Sequence, residues 1–378
     1  MTDIFSSIFS TDGLLVGTLL PFLFVILVVV FVHEMGHYLV GRWCGIGATA
    51  FSLGFGPEIA GFTDKRGTRW KLSAIPLGGY VKFVGDMTVT SSRPDETDLE
   101  PEDKARAFHR ASVWRRFLTV LAGPAANFLL TIVVFTVFLS FYGRTVIDPV
   151  VNEVRPDSPA AAAGFEPGDR ILSVDGRTIT DFSDIQKYVS GRTGDTMSFL
   201  VERDGRDVEL SAAPKYIEQT DSAGNTIRIG IIGITSMGRG SEAVRHQTMG
   251  VGAAFVRSIV ETGSILERTF IFMKRFAVGR EDKCQLGGPV KIADLAGQAA
   301  SQGFERLVEL VALLSVGIGF LNLLPVPPLD GGHLVFYTIE AAFRRPVSER
   351  LLEVGYRVGF VVVLLFMGFV LFNDIFGC

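Results

Sequence analysis

The chain has 378 residues, of which 48% are hydrophobic and 31 are Phe, and its formal net charge is −4. This apolar richness excludes an ordinary soluble globular protein and points to a polytopic membrane protein. A small, dispersed negative charge gives no reason to expect nucleic acid as a partner. Cys44, Cys284 and Cys378 are scattered, with no CxxC pair, so neither a disulfide framework nor a thiolate metal site is indicated.

Met1 to Gly13 carry no Lys or Arg, so the chain lacks the basic start of a secretory signal peptide and its first apolar run reads as a retained span. No ionisable side chain occurs from Leu14 to Val32, which is long enough for a helix to cross a bilayer. That run, predicted as a span over about Leu14–Val40, ends in His33-Glu34-Met35-Gly36-His37. On a helix His33 and His37 share one face, where both imidazoles reach one metal ion. Glu34 lies beside them, placed as the general base of a metal-dependent hydrolase. Gly36, with no side chain, is expected to leave room beside the metal. A carboxylate at membrane depth costs about 2.5–3.5 kcal/mol on insertion scales, so it needs a partner or a task. The plainer alternative is a pair of helix-end histidines with a snorkelling Glu34.

After this motif, Phe51–Pro57 and Arg69–Phe83 read as strands broken by glycines around a turn at Asp64-Lys65-Arg66-Gly67. A sheet beside a membrane must have its edge paired or facing a water-filled cavity, and an unfolded substrate segment is one natural partner. Ser91–Asp103, rich in acids, reads as a solvated loop. Further spans are predicted over about Phe117–Tyr142, Leu307–Leu324 and Val358–Phe372. The third of the four carries Gly317, Gly319 and Asn322, residues suited to close packing or to a site. Basic residues concentrate between spans one and two and between spans three and four, which places those loops in the cytoplasm and both termini outside.

The segment between spans two and three then falls outside as well. Val150–Val154, Arg170–Val174, Met197–Glu202, Asp207–Ser211 and Ile227–Ile234 read as short strands, and Asp181–Val189 as a helix capped by Asp181 or Ser183. The run Ser158-Pro159-Ala160-Ala161-Ala162-Ala163-Gly164-Phe165-Glu166-Pro167-Gly168-Asp169 and its continuation to Gly176 closely resemble the PDZ domains of bacterial envelope proteases. That resemblance implies binding of extended peptide by strand addition, and a small β-rich spacer with no ligand is the alternative reading. Val251–Arg280 reads as helical, part of an amphipathic connector near the membrane surface, with Lys274, Arg275 and Arg280 either available to lipid headgroups or forming a solvated basic face.

A catalytic zinc takes three protein ligands and leaves one position open. Asp330, in Asn322-Leu323-Leu324-Pro325-Val326-Pro327-Pro328-Leu329-Asp330-Gly331-Gly332-His333, is the candidate third ligand. The prolines end the helix and the glycines allow a sharp turn, at the same side of the membrane as His33. An N-cap role for Asp330 is the alternative reading, and His333 is the competing ligand; His109 and His246 read as structural.

His33-Glu34-Met35-Gly36-His37, Gly123-Pro124-Ala125-Ala126-Asn127 and Asn322…Pro325…Pro327…Leu329-Asp330-Gly331, in that order and spacing, resemble the site-2 protease family of intramembrane zinc metalloproteases. With its inserted PDZ domain the chain looks most like the regulator-of-sigma-E branch of that family, although one PDZ domain is found where the better-known member has two in tandem. The resemblance implies zinc on His33, His37 and Asp330, Glu34 as base, and a substrate-binding or oxyanion-side role for Asn322. It also places Gly78, Gly79 and Tyr80 on the sheet edge that extends a substrate strand, and puts Asn127 among the substrate-binding candidates. The implied substrates are single-span membrane proteins, such as an anti-sigma factor or remnant signal peptides.

The expected architecture is a polytopic α-helical membrane protein of the bacterial inner membrane, with four transmembrane helices, an inner membrane-associated β-hairpin and an inserted periplasmic PDZ domain of α+β type. Its segments are residues 1–42 (first span), 43–110 (β region and polar loop), 111–147 (second span), 148–236 (PDZ domain), 237–304 (connector), 305–335 (third span and ligand turn) and 336–378 (inner loop and fourth span). Two other functions fit parts of this pattern. A non-catalytic PDZ adaptor would leave the intact histidine motif without purpose, and an ion transporter would call for internal repeats, which the sequence does not show.

Overall fold

In a computed structural model the described residues are 14–85, 101–220, 226–236, 244–279, 281 and 286–377. The expectations for Met1–Gly13, for most of the acidic loop Ser91–Asp103 and for Arg280, Cys284 and Cys378 fall outside them. The chain divides into two compact units, Met1–Phe135 with Gly287–Phe376, and Thr136–Leu286 with Gly377–Cys378.

The first unit is built on α1 (Leu20–Trp43), which follows a π-helical turn over Leu14–Leu19. Two strands, β1 (Ala48–Thr63) and β2 (Arg69–Phe83), pair antiparallel into a hairpin. Both are longer than the apolar alternation of β1 alone indicates, because the outer half of β1 is exposed and is held by pairing with β2. The turn between them closes as predicted on Asp64, whose Oδ1 accepts from the backbone N–H of Arg66 (2.8 Å) and Thr68 (3.0 Å). Asp64 Oδ2 also accepts from Trp70 Nε1 at 3.0 Å and from the Tyr38 hydroxyl at 3.3 Å. Trp70 stacks on Phe51 with ring centroids 4.5 Å apart, and Tyr38 of α1 meets both rings edge-on. This aromatic cluster seats the hairpin on the helix that carries the histidines.

Helix α2 (Val113–Phe141) begins in the first unit and continues into the second. The longer helices that follow are α3 (Phe182–Ser190), in the second unit, α4 (Val251–Ala277), α5 (Pro289–Gln302), α6 (Phe304–Asn322), α7 (Asp330–Phe343) and α8 (Glu349–Phe372). Phe22, Val25 and Val29 of α1 form an apolar core with Ala296 of α5 and with Leu307 and Val311 of α6. Small polar residues join α2 to α6. Thr131 Oγ1 donates to the Ala312 carbonyl (2.9 Å) and Ser315 Oγ to the Asn127 carbonyl (3.0 Å). Gly319 serves this packing, since a Cβ there would stand 3.1 Å from Asn127 Cβ, whereas Gly317 faces open space. Among the described residues three helical segments are long and apolar enough to cross a membrane: Leu15–Trp43, Val113–Phe141 and Glu349–Phe376. From Val358 on, the α8 surface is apolar all round, with Val358, Leu364, Leu365 and Phe372 exposed, as suits a helix solvated by lipid.

The second unit holds the region expected to be a PDZ domain. Strands β3 (Arg170–Val174), β4 (Met197–Arg203) and β5 (Arg206–Ala212), with an edge pair at Arg177–Thr178, make a four-stranded antiparallel sheet. Helix α3 (Phe182–Ser190) is capped by Asp181, which accepts from Ser183 N at 2.9 Å. Ile171, Val174, Ile185, Phe199 and Val201 fill the core between sheet and helix. Asp169 has no exposed side chain and is gripped by Arg203, whose Nε and Nη2 donate to its two oxygens at 2.7 and 2.8 Å. Burial pushes the Asp169 carboxyl up, but the Arg203 hydrogen bonds, the Glu166 N–H and the Arg203 charge outweigh it and hold the group below its ordinary value.

The connector expected over 237–304 is split between the units, α4 lying in the second and α5 in the first. One face of α4 is charged and is neutralised within its own unit: Glu261 pairs with Lys187 (2.5 Å), Glu267 with Arg177 (2.6 Å), and Arg257 with Asp184 (3.3 Å). Arg275, expected to meet lipid headgroups or solvent, is buried instead and donates to Asp195, Glu281 and the Thr193 carbonyl. A cation with three acceptors inside the unit gains more there than from a solvated headgroup.

Candidate metal centre and active site

His33, Glu34 and His37 lie on the buried side of α1, at 8, 9 and 8% exposure, although they occupy a helix that is otherwise apolar. They are sheltered by α2, which approaches closely because of two glycines. A Cβ on Gly36 would strike the Ala122 carbonyl oxygen and come within 2.8 Å of Ala126 Cβ. Gly36 therefore makes room for a helix backbone, which corrects the expectation that it clears space beside the metal. The glycine that faces a ligand is Gly123, where a Cβ would collide with the His37 ring. Pro124 follows it inside α2 and has no N–H, which loosens the backbone ladder in this turn. On the same helix, four residues before Gly123, the Thr119 carbonyl accepts a hydrogen bond from His37 Nδ1 at 2.9 Å.

Asp330 reaches the same place from the start of α7. The turn before it is compact: Cβ atoms on Gly331 or Gly332 would run into the backbones of Leu323–Leu324 and Val326–Pro327. On its far side Gly359 of α8 is pressed against the Pro327 carbonyl, so that α8 backs the ligand turn. Leu329, with an extended backbone, occupies the N-cap position, and Asp330 is the first residue inside the helix. Its Oδ2 stands 3.1 Å from His33 Nε2 and 3.4 Å from His37 Nε2, while the two Nε2 atoms are 3.2 Å apart. Ligands bound about 2.0–2.1 Å from a tetrahedral zinc stand about 3.3 Å from one another. The three separations match that spacing. Asp330 Oδ2 is buried and has no hydrogen-bond partner, and His37 presents an unprotonated Nε2 once its Nδ1 has donated to Thr119. Lone pairs converging in this way repel unless a cation sits between them, so the residues present fit a zinc ion. Among the described residues, His33, His37 and Asp330 are the group able to hold a metal.

His333, the competing ligand, is turned elsewhere and meets the Tyr356 hydroxyl of α8, at 2.9 Å from Nδ1. His109 bonds the Gly85 carbonyl at 3.0 Å, and His246 lies in a strand paired to Thr145. Gly79 of β2 is brought against Glu34: a Cβ there would come 3.1 Å from Glu34 Cγ and 2.8 Å from Val30 Cγ1. Gly78 adopts a positive φ of 104°, and Tyr80 stacks on Phe55. Asn322 is half-buried at the last turn of α6, on the segment that leads to Asp330. Asn127, fully buried on α2, contacts His33 Nδ1 through Nδ2 at 3.3 Å, and its Oδ1 has no partner. The Thr119 carbonyl and Gly123 escaped sequence reasoning; only Gly123, beside Pro124 in the motif already noted, carried a signal there.

Two imidazoles and a carboxylate around one point, with a second carboxylate alongside on an apolar helix, are the side chains of a metal-dependent hydrolase in a membrane protein. Comparison with known proteins agrees. Residues 21–366 match Peptidase family M50. A Mesorhizobium japonicum protein named provisionally as a zinc metalloprotease is 61% identical over 368 residues, covering 96% of this chain and 99% of its own. A Brucella suis relative with the same provisional description is 59% identical over 383 residues, covering both chains completely. The metalloprotease MmpA of Caulobacter vibrioides is 39% identical over 382 residues, covering 94% of this chain and 95% of its own. Among solved structures, the PDZ domain of an SdrC-like protein from Listeria monocytogenes is 24% identical over 23% of this chain and 83% of its own, with a TM-score of 0.19. The PDZ reading rests on the sequence pattern of residues 148–236 and on that region's own strands and helix. The chain belongs to peptidase family M50, the site-2 protease family, and is a zinc metalloprotease.

Proposed function

We propose that this zinc metalloprotease is an intramembrane endopeptidase, cutting a peptide bond in or near the transmembrane segment of single-span membrane proteins. Anti-sigma-factor-like proteins and remnant signal peptides are the substrate classes that fit. The observation that carries the reading is the convergence of His33 Nε2, His37 Nε2 and Asp330 Oδ2 beside Glu34, with Gly79 of β2 packed against the Glu34 side chain. His33, His37 and Asp330 hold the metal in this reading. A zinc ion there supplies Lewis acidity, worth a fall in water pKa from about 15.7 toward about 7. Glu34 accepts the proton of the attacking water and returns it to the leaving amine. The bare edge at Gly78 and Gly79, with Tyr80 following, leaves space for an unfolded segment to pair with β2 next to Glu34. Asn322 stands on the approach to the metal as a substrate contact.

The same proposal takes α6 as a fourth span, places the two basic loops in the cytoplasm, and puts both termini and the 148–236 domain in the periplasm. That domain acts on access, by holding extended peptide and hindering substrates with bulky outer parts, and contributes no catalytic side chain. Glu34→Gln tests the chemistry: with zinc still bound, cleavage of a tethered membrane-span reporter is expected to fall by at least about 10²-fold. Unchanged turnover in that variant would refute it.

A further inference from the structure

Asn127 is neither a structural filler nor a substrate contact by its position, since its side chain is completely buried and reaches one functional atom, His33 Nδ1. An imidazole that binds metal through Nε2 carries its remaining proton on Nδ1, and that N–H requires an acceptor. His37 has one in the Thr119 carbonyl, at 2.9 Å. At His33 the neighbouring group is the Asn127 amide, with Nδ2 facing Nδ1 at 3.3 Å while Oδ1 is buried and unpartnered. Donor then faces donor, and the acceptor is idle. A half-turn of the amide exchanges two groups of nearly equal size and places Oδ1 against the Nδ1 proton.

The rest of Asn127 cannot move to relieve the mismatch in another way. Its carbonyl accepts from Ser315 Oγ (3.0 Å), and its Cβ packs against Gly319. We infer that Asn127 is a positioning residue for the metal centre: its Oδ1 accepts the Nδ1 proton of His33, fixing the tautomer and ring plane that present Nε2 to zinc. One helix, α2, then supplies the outer acceptor of both histidines, Thr119 to His37 and Asn127 to His33. An amide oxygen here takes the part that a carboxylate plays behind many zinc-bound histidines. It does so without adding a further negative charge beside Glu34 and Asp330.

The inference rests on His33 being a ligand, and the experiment separates the two. Full-length protein in detergent is stripped of zinc, and its zinc affinity is measured by competition with a chromophoric chelator. His33→Gln is expected to lose zinc; if it does not, the ligand assignment fails and this inference with it. Asn127→Leu, which removes the acceptor, is expected to weaken zinc about 10–100-fold, the usual effect of losing an outer partner. Asn127→Asp, which keeps an acceptor and loses the donor, is expected to stay within about threefold of wild type. Wild-type affinity in Asn127→Leu, or an equal loss in both Asn127 variants, would overturn the proposal while leaving the ligand assignment intact. Should Asn127→Leu fail to fold, the wild-type chain still decides the matter. Nitrogen-15 spectra of histidine-labelled, zinc-loaded protein should show the Nδ1 proton of both ligand histidines hydrogen-bonded and slow to exchange with solvent, and a single fast-exchanging ligand Nδ1 proton would refute the role.

Discussion

Gly123→Ala probes how tightly the metal centre depends on the approach of α2 to α1. The new methyl carbon would overlap His37 Nε2 and stand 2.8 Å from Cδ2. Ordinary contact begins at 3.4 Å, so for Cδ2 alone the ring or the helix must give by about 0.6 Å. The ring cannot simply retreat, because its opposite nitrogen is held by the Thr119 carbonyl at 2.9 Å. Zinc sites tolerate ligand displacements of about 0.2 Å. The variant is therefore expected to lose at least about tenfold in zinc affinity, by weakening one of three protein ligands, while its helices persist. Zinc competition with a chelator measures this, with helical circular dichroism as the check on folding. Gly36→Ala is the control of different kind: its methyl meets the Ala122 carbonyl and Ala126, not a ligand, so it should cost about 1–3 kcal/mol of stability through overpacking. A folded Gly123→Ala protein with wild-type zinc affinity would refute the argument.

Asp330→Ala should lose activity and much of its zinc, whereas His333→Ala should keep most of both, since His333 bonds Tyr356 and stands outside the convergent group; metal analysis of the two purified variants decides this. Gly79→Val should leave zinc bound but reduce cleavage, because its Cβ would crowd Val30 and the Ser52 carbonyl and stand 3.1 Å from Glu34 Cγ, pushing β2 away from the base; equal cleavage rates in variant and wild type would remove β2 from the substrate path. Arg203→Ala leaves the buried Asp169 carboxylate without its partner and should destabilise the 148–236 region by about 2–3 kcal/mol at pH 7, at the low end of the usual range because the guanidinium is partly exposed. Asp169 is held below its ordinary value in the folded domain, so this stabilisation is present above about pH 4 and is lost as pH falls toward the folded value. Pulse proteolysis in urea across that range, on the full chain, should show the difference between wild type and variant shrinking at acid pH, and a constant difference would count against the assignment.

What could be read from the sequence was local in origin. The four-residue interval of His33 and His37 becomes one helix face wherever the helix lies, and the apolar run that contains it announces its own solvent. The same holds for the Asp64 turn, whose side chain bonds backbone groups two and four residues on, and for the Asp181 cap of α3. Asp330 was approachable because prolines and glycines shape its turn without outside help.

Other features depended on which surfaces meet. Gly36 and Gly123 are alike in sequence, yet one admits a backbone and the other a ligand ring, and only the crossing of α1 and α2 distinguishes them. The Thr119 carbonyl has no sequence signature at all, because every residue carries a carbonyl and what matters is which one a packed helix turns toward His37. Arg275, on an amphipathic helix, suits a headgroup or a solvated face by sequence, but folding brings it Asp195, Glu281 and the Thr193 carbonyl. Asn127 belonged to a recognisable motif, and its task emerged only when its amide was seen against His33. Periodicity and turn chemistry act over a few residues and are written in the chain; the partners of a buried polar group are chosen by tertiary packing, because burial is what makes leaving such a group unpaired costly.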